Sequence, residues 1–558
     1  MAVVTGAITQ AHACWGCVSG VFVEAGRVSP THWPFLAKLV LASSSSLLMG
    51  LGSPPNGWTP LIWLSFVPFF LVLEDASLTR RQGAWAGFAS GIAIGLVGFP
   101  WIARMLVNFT GVPWPVATLG LVAFSIWMAV PFALTGIAVW HLARRDAASW
   151  QRWLLPPAVF AACQFLWPAL FPYTPTIGFA EVPEWMQLAE FGGIHLVEAQ
   201  IIIAGRLGAQ ALRTGPVRSR VICALLSLAI PIVSGALGAW RMSAIDAELA
   251  AARTIKLGLV QPNTPIAFRD RDESMARLRI PSRRAQGEGA QLVVWPETGS
   301  YPYRVTRPFR KDSTSARKQV LLRHSIPTLF GAGSREREAR HGYNSFYVMG
   351  ADGVVRDRYD KVIRVPFGEY IPFVNPDLLN EIAPTVAHRH AGEGPRRWAI
   401  DLPGTPLPLL AGPTICYEDI LPGFSHDIAR LEGGIEIYIN TTIDAWYGYE
   451  KEPWEHLALA QFRSVEHRIP LVRAVSTGVS AYVDATGRLA AYIPSRAVTL
   501  QNVAEFPAEH LVVEIPIARD TASRPTFFGS FGWLYPWLCV LASTGFVFNI
   551  WRSRSRPS

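Results

Sequence analysis

Eight stretches of this chain are apolar over a length that suits the hydrocarbon core of a lipid bilayer, which is about 30 Å thick. They cover residues 36–52, 58–73, 84–103, 114–140, 154–171, 187–205, 221–239 and 531–551. The second stretch is short, and the sixth contains the ionisable residues Glu190, His195 and Glu198. Helices packed in a membrane tolerate the prolines found inside several stretches, because neighbouring groups satisfy the freed backbone. The pattern predicts a helical membrane domain of about eight spans.

Charged residues are concentrated in one part of the chain. They make up only 16% of the 558 residues, whereas half of all residues are hydrophobic, and they are dense only between about 241 and 524. A polar domain inserted before the last span is therefore expected. We predict an N-terminal extension at 1–34, a membrane domain with spans one to seven at 35–240, the polar domain at 241–525, and a final span with a basic tail at 526–558.

The distribution of arginines between the short loops predicts the orientation. One set of alternate loops and the C-terminal tail contain Arg80, Arg81, Arg144, Arg145, Arg152, Arg213, Arg218, Arg220, Arg552, Arg554 and Arg556. The opposite loops, at 53–57, 104–113 and 172–186, contain only Arg104. The positive-inside rule places both termini in the cytoplasm and the polar domain on the outer side. The net charge of +9 is explained mainly by this anchoring, and no basic and aromatic stripe indicates nucleic-acid binding.

The first 34 residues lack a basic leader before an apolar core, so they do not resemble a cleaved signal peptide. Cys14 and Cys17 form a C-x-x-C pair, but one pair without a second pair or a histidine cluster is weak evidence for a metal or redox site. We interpret this segment as a disordered or interfacial extension whose role the sequence does not identify.

Short β-rich runs alternate with helical patterns in the polar domain, which predicts an α/β fold. The predicted strands are 255–260, 291–295, 328–331, 345–349, 407–411, 435–440, 471–475, 481–483 and 511–515, and the predicted helices are 271–286, 317–324 and 454–467. Glu297, Cys416 and Asp444 each come just after a predicted strand. Open α/β sheets usually bind ligands at such strand ends, so these residues are candidates for one site.

Cys416 is the single cysteine of the polar domain, so no disulfide can form there and its thiol is free. A thiol attacks a carbonyl as the thiolate, which requires a group that removes its proton and a cation that stabilises the resulting oxyanion. Glu297 and Lys361 are residues of these two types, in the chain order Glu, Lys, Cys. The combination predicts an enzyme that performs acyl transfer through a cysteine.

The local sequences around these three residues resemble a known group of enzymes. Trp295-Pro296-Glu297, Lys361 and Cys416-Tyr417-Glu418 resemble the catalytic triad of the nitrilase superfamily, whose fold is an α-β-β-α sandwich. The eight spans, the segment 367–372 (Phe-Gly-Glu-Tyr-Ile-Pro) and the segment 444–448 (Asp-Ala-Trp-Tyr-Gly) are similar to those of bacterial apolipoprotein N-acyltransferases. The resemblance covers residues from about 36 to 551.

This resemblance implies a two-step transfer in which Cys416 takes an acyl chain from a phospholipid and passes it to the N-terminal α-amine of a diacylated apolipoprotein. It implies that Glu297 is the base and that Lys361 stabilises the oxyanion, while Glu369, Tyr417 and Glu418 support them. No cofactor and no metal are expected. The implied protein is a monomer in the bacterial inner (cytoplasmic) membrane, with its catalytic domain on the periplasmic side.

Other functions remain compatible with the sequence. A membrane-anchored amidase would use the same triad, and a divergent acyltransferase would use another amine or lipid; a catalytically idle scaffold is a third possibility. Ile443 and Phe268 differ from the residues usual in the family, which bears on substrate choice more than on chemistry. The intramembrane residues Glu190, His195 and Glu198 are equally compatible with a functional role and with an interfacial position. The sequence does not identify the donor head group or the preferred acyl chain.

Overall fold

The computed structural model describes residues 32–145, 148–298, 300–307, 314–322, 324–339, 341–366, 368–370, 388–518 and 525–554. The predictions on Cys14 and Cys17 lie outside the described residues, as do Phe367, Ile371 and Pro372 of the segment 367–372. The two ends of the described chain form a helical domain, and the part between them forms an α/β domain.

The helical domain contains ten of the helices that we number in chain order. They are α1 (Phe35–Gly52), α2 (Leu61–Leu64), α3 (Phe66–Leu73), α4 (Arg80–Gly98), α5 (Trp101–Thr110), α6 (Trp114–Arg144), α7 (Ser149–Leu166), α8 (Ala189–Leu212), α9 (Val217–Leu249) and α15 (Leu534–Arg554). The last of them, α15, follows the α/β domain and the short helix α14 (Phe527–Phe531). Buried aromatic rings fill the space between α3, α6 and α7, where Phe160 contacts both Phe66 and Phe132 edge to face. The predicted helical membrane domain is confirmed.

Each predicted apolar stretch falls on one of these helices or helix pairs, but the helices differ in their capacity to cross a membrane. Within the described residues, α1, α6, α9 and α15 are long and apolar enough to do so, and the bent pair α4 and α5 would make a fifth span if it is counted as one. The stretch 58–73 forms the two short helices α2 and α3. The number of eight spans therefore stays a prediction.

Two of the stretches that were predicted to be continuous helices are interrupted. Between α4 and α5 the chain bends by 60°. Pro100 lies at this bend, and proline both lacks a backbone N–H and disfavours helical geometry in the residue before it, which is Phe99 (φ −121°, ψ 37°). In α8, Gly192 and Gly193 have non-helical backbone angles, and Gly193 adopts a positive φ of 67°. The bend after α4 turns α5 towards the α/β domain.

The α/β domain contains two sheets that pack face to face. The first has the strand order β13-β1-β2-β4-β5-β6, with β3 paired to β4, and the second has the order β12-β11-β10-β9-β8-β7. The strands are β1 (Arg253–Gln261), β2 (Leu292–Val294), β3 (Val305–Arg307), β4 (Thr328–Glu336), β5 (Tyr343–Met349), β6 (Val355–Asp360), β7 (Trp398–Ile400), β8 (Leu409–Ile415), β9 (Ile437–Thr442), β10 (Leu471–Val475), β11 (Ser480–Val483), β12 (Leu489–Ile493) and β13 (Glu509–Ile517).

Helices cover both outer faces of this pair of sheets. On the first sheet α10 (Arg271–Gly287) packs against β1 and β13, with α11 (Thr314–Val320) following β3 in the chain. On the second sheet α13 (Glu452–His467) packs against β10, with α12 (Pro422–Ala429) beside it. The predicted α-β-β-α arrangement is confirmed, as are all nine predicted strands and all three predicted helices within a few residues. The strands β3, β6, β7 and β12 and the helix α12 were not predicted.

Ionic contacts join the two domains where α8 meets α13. Glu190, in the first turn of α8, accepts two hydrogen bonds from Arg241 of α9, at 2.7 and 2.9 Å, and one from Arg468 at the end of α13, at 2.7 Å. These contacts give Glu190 a role in holding the domains together. The predicted domain boundary at residue 240 lies inside α9, which continues to Leu249, four residues before β1 begins.

Candidate active site

Three of the predicted site residues follow the ends of three strands and meet at one edge of the two sheets. Glu297 comes three residues after β2, Lys361 directly after β6, and Cys416 directly after β8. The strands β2 and β8 pair in parallel with their neighbours β1 and β9. The carboxyl ends of parallel strands are the usual position for a ligand site in α/β folds.

Glu297 is held by three kinds of contact. Its Oε1 accepts a hydrogen bond of 2.6 Å from Asn344 Nδ2, and its Oε2 accepts one of 3.0 Å from the backbone N–H of Ile443. Lys361 Nζ lies 3.8 Å from Oε1. Burial raises the pKa of Glu297 to about 7, and the negative charge of Glu369 adds to this rise, whereas Lys361 opposes it. A carboxyl group with such a pKa can accept and return a proton near neutral pH.

Lys361 is almost completely buried and contacts two carboxylates. Its Nζ lies 2.9 Å from Glu369 Oε2, closer than to Glu297. Burial alone would lower the pKa of Lys361, but the charges of Glu369 and Glu297 outweigh burial and raise it. The ammonium group is therefore a permanent positive charge. Burial would raise the pKa of Glu369, but Lys361 lowers it, so this carboxylate stays ionised.

Cys416 occupies a strained backbone position. Its φ is +53°, in the left-handed region, which costs a non-glycine residue on the order of 1–3 kcal/mol. The turn is fixed by Asn440, whose Nδ2 donates to the Cys416 carbonyl oxygen at 3.2 Å, and by Glu418, whose Oε2 accepts from the Ile415 N–H at 2.8 Å. A sharp turn directly after a strand projects the side chain away from the sheet, as in other enzymes with a nucleophile at this point.

The surroundings of the Cys416 thiol favour its protonated form. Burial raises its pKa well above 9, and the charge of Glu297 raises it further, whereas Lys361 opposes the rise. Attack on a carbonyl therefore requires removal of the proton during the reaction rather than a preformed thiolate. Glu297 is the basic group whose pKa suits this transfer.

Glu418 fastens the two strand ends that bear Lys361 and Cys416. It accepts hydrogen bonds from the Tyr359 hydroxyl at 2.7 Å and from the backbone N–H groups of Val362 at 2.7 Å and Ile363 at 3.0 Å, in addition to that of Ile415. Glu418 is fully buried. Its contacts show a structural position rather than one that faces a substrate. Tyr417 donates its hydroxyl hydrogen bond to the Leu170 carbonyl oxygen at 2.5 Å and so links the nucleophile's turn to the helical domain.

A cavity of about 310 Å³ contains the side chains of Glu297, Lys361, Glu369 and Cys416. Sequence reasoning missed several other residues of its lining. Asn344, the second residue of β5, donates to both Glu297 and Glu369, and no local motif identifies it. Phe109 of α5 stacks on Trp446 with ring centroids 4.3 Å apart, which brings a residue of the helical domain into the cavity wall.

A second cluster of ionisable side chains lies behind Cys416. Asp444, Glu452 and His456 could each offer one ligand atom to a metal, and these atoms lie within 4.8 Å of one another. His456 also bridges Asp444 and Asp419, at 3.1 and 2.9 Å, and Arg473 lies 3.1 Å from Asp419. His456 and Arg473 face Asp419 and Asp444, and burial raises the pKa of the third carboxyl group, Glu452, to about 8, so the cluster is explained as buried ion pairs beside a largely neutral acid.

Two solved structures are similar to about half of the chain. An amidase from Nesterenkonia sp. has 16% sequence identity and a TM-score of 0.35, covering 50% of this chain and 96% of that chain. Nit3 of Saccharomyces cerevisiae, a member of branch 10 of the nitrilase superfamily, has 17% identity and a TM-score of 0.36, with coverages of 50% and 96%.

Two family descriptions match the chain in succession. Residues 45–207 match the apolipoprotein N-acyltransferase N-terminal domain, and residues 256–504 match the carbon-nitrogen hydrolase family. The chain is therefore a membrane protein with an enzymatic α/β domain of the carbon-nitrogen hydrolase type.

The chain is similar to curated relatives over most of their length. The apolipoprotein N-acyltransferase of Allorhizobium ampelinum is 30% identical over 502 residues, which cover 83% of this chain and 89% of the relative. That of Rhodopseudomonas palustris is 27% identical, covering 90% of this chain and 98% of the relative. That of Geobacter metallireducens is 25% identical, with coverages of 90% and 93%. The chain belongs to the apolipoprotein N-acyltransferase family.

Proposed function

We propose that this N-acyltransferase moves an acyl chain from a phospholipid to Cys416 and then to the N-terminal α-amine of an S-diacylglyceryl-cysteine lipoprotein. The observation that supports this proposal most directly is the shared cavity, which brings the buried thiol of Cys416 together with the carboxyl group of Glu297 and the ammonium group of Lys361. An acid–base group and a fixed cation beside a cysteine are what acyl transfer through a thioester requires.

In the first step, the Cys416 sulfur attacks the carbonyl carbon of a phospholipid ester while Glu297 accepts the thiol proton. Lys361 stabilises the negative charge that develops on the carbonyl oxygen. The carbon–oxygen bond then breaks, Glu297 returns the proton to the leaving alkoxide, and a lysophospholipid departs. The acyl chain remains on Cys416 as a thioester.

In the second step, the lipoprotein α-amine attacks the thioester carbonyl. An α-amine has a pKa near 8, so part of it is protonated at neutral pH and it needs to lose a proton to react. Glu297 accepts a proton from the attacking nitrogen and transfers it to the departing Cys416 sulfur. An amide forms and the free thiol is restored, so the reaction consumes no cofactor.

The contact between α5 and the α/β domain supports a lipid donor. Asn108 Nδ2 donates to the Trp446 carbonyl oxygen at 2.9 Å, and Phe109 stacks on the Trp446 ring. Trp101 Nε1, at the start of the same helix, donates to Glu455 Oε2 at 2.9 Å. A helix of the apolar domain thus forms part of the cavity wall, where an acyl chain in the membrane can reach the thiol. A soluble amidase needs no such contact.

Two further proposals concern location and assembly. The arginine distribution supports a position in the bacterial inner membrane with the cavity on the periplasmic side. We also propose a monomer as the active unit, because the side chains required for the chemistry all come from one chain.

The experiment measures the intact mass of the purified protein after incubation with a phospholipid of one acyl-chain length. We expect a mass increase of one acyl group that hydroxylamine removes, and transfer of this group to a diacylated lipopeptide. Cys416→Ala should show neither, whereas Cys223→Ala, which removes a thiol of α9, should behave like the unmodified protein. Hydrolysis of a small amide without acyl-enzyme formation from phospholipid would favour an amidase instead.

A further inference from the structure

The cavity contains more positive charge than the proposed chemistry uses. Lys361 and Glu369 form a close pair whose charges cancel, and burial raises the pKa of Glu297 to about 7, so this group is partly neutral at physiological pH. Two arginines, Arg269 and Arg389, also line the cavity. Their charges leave the cavity with a positive excess.

Neither arginine forms an ion pair with a carboxylate among the residues that the structure describes. Arg269 donates only to the carbonyl oxygens of Ile266 and Phe268, at 2.8 and 3.2 Å. The guanidinium of Arg389 has no hydrogen-bond acceptor among the described residues, although the side chain is half-buried. Burial lowers the pKa of Arg389 despite the opposite charges of Glu369 and Glu297 farther away. A partly desolvated cation without a partner is costly unless a ligand supplies the anion.

The backbone fixes Arg389 at this position. Its N–H donates to the Glu369 carbonyl oxygen at 2.9 Å, and its own carbonyl oxygen accepts from Arg364 Nη1 at 2.8 Å. The next residue, His390, donates its N–H to the Gly342 carbonyl oxygen at 2.9 Å. A backbone held on both sides presents the Arg389 side chain to the cavity from a fixed point, which reduces the ordering that ligand binding requires.

The cavity wall has an apolar part and a positively charged part. Phe109, Val365, Trp446 and Tyr447 supply apolar surface, while Arg269 and Arg389 supply two guanidinium groups. Guanidinium groups bind phosphate oxygens with paired, charge-assisted hydrogen bonds. A donor that combines an acyl ester with a phosphate is the kind of molecule whose two parts fit these two surfaces.

We propose that Arg389, assisted by Arg269, forms a phosphate subsite that holds the head-group phosphate of the acyl donor while its ester faces Cys416. This inference rests on the proposed thioester function. It makes Arg389 a residue that determines donor specificity, and it requires the enzyme to prefer an ester that bears a phosphate over one that does not.

The test compares two donors of the Cys416 thioester in the full-length protein in detergent, dipalmitoyl phosphatidylglycerol and the phosphate-free ester p-nitrophenyl palmitate. For Arg389→Gln we expect kcat/KM with the phospholipid to fall roughly 10- to 100-fold, the usual effect of removing a hydrogen bond to a charged group. Acylation by p-nitrophenyl palmitate should stay within a few-fold of the unmodified protein, which also shows that the variant is folded. Arg389→Lys should recover part of the loss.

The matched control is Arg496→Gln, which removes a guanidinium paired with Glu509 at 3.0 Å in a neighbouring cavity and should leave the donor preference unchanged. Inorganic phosphate should compete with the phospholipid in the unmodified protein and lose this effect in Arg389→Gln. An equal loss with both donors would assign Arg389 to the fold and overturn the subsite. If phosphate inhibits acylation by both donors and Arg389→Gln leaves the donor preference unchanged, the cavity binds free phosphate, and this result would also overturn the proposed subsite. Absence of any acyl-enzyme in the unmodified protein would instead reject the thioester function on which the subsite depends.

Discussion

Lys361 lies closer to Glu369 than to Glu297, with Nζ–Oε distances of 2.9 and 3.8 Å. The positive charge of Lys361 therefore attracts Glu369 more strongly than it attracts Glu297. Since burial and the charge of Glu369 both raise the pKa of Glu297, this arrangement keeps the base able to hold a proton near neutral pH. The charge of Glu369 thus affects the pKa values of both Lys361 and Glu297, and Glu369 does not need to contact the substrate to do so.

Glu369→Gln should therefore change the pH dependence as well as the rate. Removing the negative charge lowers the pKa of Glu297, because one source of repulsion is lost while Lys361 remains. The base must be ionised to act, so the acid limb of the pH profile for thioester formation should move to lower pH. We expect kcat/KM at its optimum to fall roughly 10- to 100-fold, since a charged hydrogen bond to Lys361 is weakened.

The control for this variant is Glu393→Gln, which removes an exposed carboxylate that pairs with Arg396 at 3.1 Å on the surface. Its pH profile should match that of the unmodified protein. A Glu369→Gln profile with an unchanged acid limb would show that Glu369 does not influence the base.

Asn344→Ala should move the acid limb of the pH profile for thioester formation to higher pH. The hydrogen bond of 2.6 Å from Asn344 Nδ2 favours the ionised form of Glu297, so its loss raises the pKa of the base. Thioester formation should become slower below pH 7 and recover at higher pH. The check is to measure the acyl-enzyme by mass at a fixed reaction time, in steps of about half a pH unit from about pH 5.5 to about pH 9. A uniform loss at every pH would mean that Asn344 only positions the carboxylates.

Lys361→Ala should reduce thioester formation on the order of a hundredfold, the usual effect of losing one group that stabilises an oxyanion. It also leaves Glu369 buried without its cation, so the variant needs a test of folding by circular dichroism. Lys256→Ala, at a surface pair with Glu514, is a suitable control. Full activity in a folded Lys361→Ala protein would exclude the proposed role.

Glu418→Ala should destabilise the protein rather than alter its pH profile. It removes the acceptor of four hydrogen bonds, three of them from backbone N–H groups at the ends of β6 and β8. Leaving buried donors without partners should lower the free energy of unfolding by about 2 to 5 kcal/mol. Thermal unfolding measures this loss, and Glu432→Gln, at an exposed position, is the control. An unchanged melting temperature would contradict a structural role for Glu418.

The sequence predicts the parts of this site that depend on local pattern. Glu297 and Cys416 follow β-rich runs, so their positions at strand ends are visible in the sequence alone. The strand β6 was missed because Val355–Asp360 has only Val355 and Tyr359 among arginines and aspartates, which gives a weak strand signal. Lys361 was identified by its motif, although the strand that positions it was not predicted.

Contacts between distant segments could not be predicted in the same way. Asn344 reaches Glu297 and Glu369 only because β5 and the turns after β2 and β6 meet in the folded sheet. Phe109 reaches Trp446 because the chain bends by 60° before α5, whereas the apolar pattern suggested one helix through residue 103. That the Arg389 guanidinium has no hydrogen-bond acceptor among the described residues became visible only once its neighbours were known.

The orientation in the membrane provides the last prediction. Among the short loops, those that we assign to the cytoplasm contain every arginine except Arg104, so a cysteine introduced at the exposed Ser219, beside Arg218 and Arg220, should be protected from an impermeant maleimide in intact spheroplasts. A cysteine at Ala351, exposed in the turn between β5 and β6, should be labelled. The six native cysteines are replaced by serine in both proteins to remove competing thiols. Permeabilised cells, in which both positions should react, control for accessibility, and labelling in the reverse order would place the cavity of Cys416 on the cytoplasmic side.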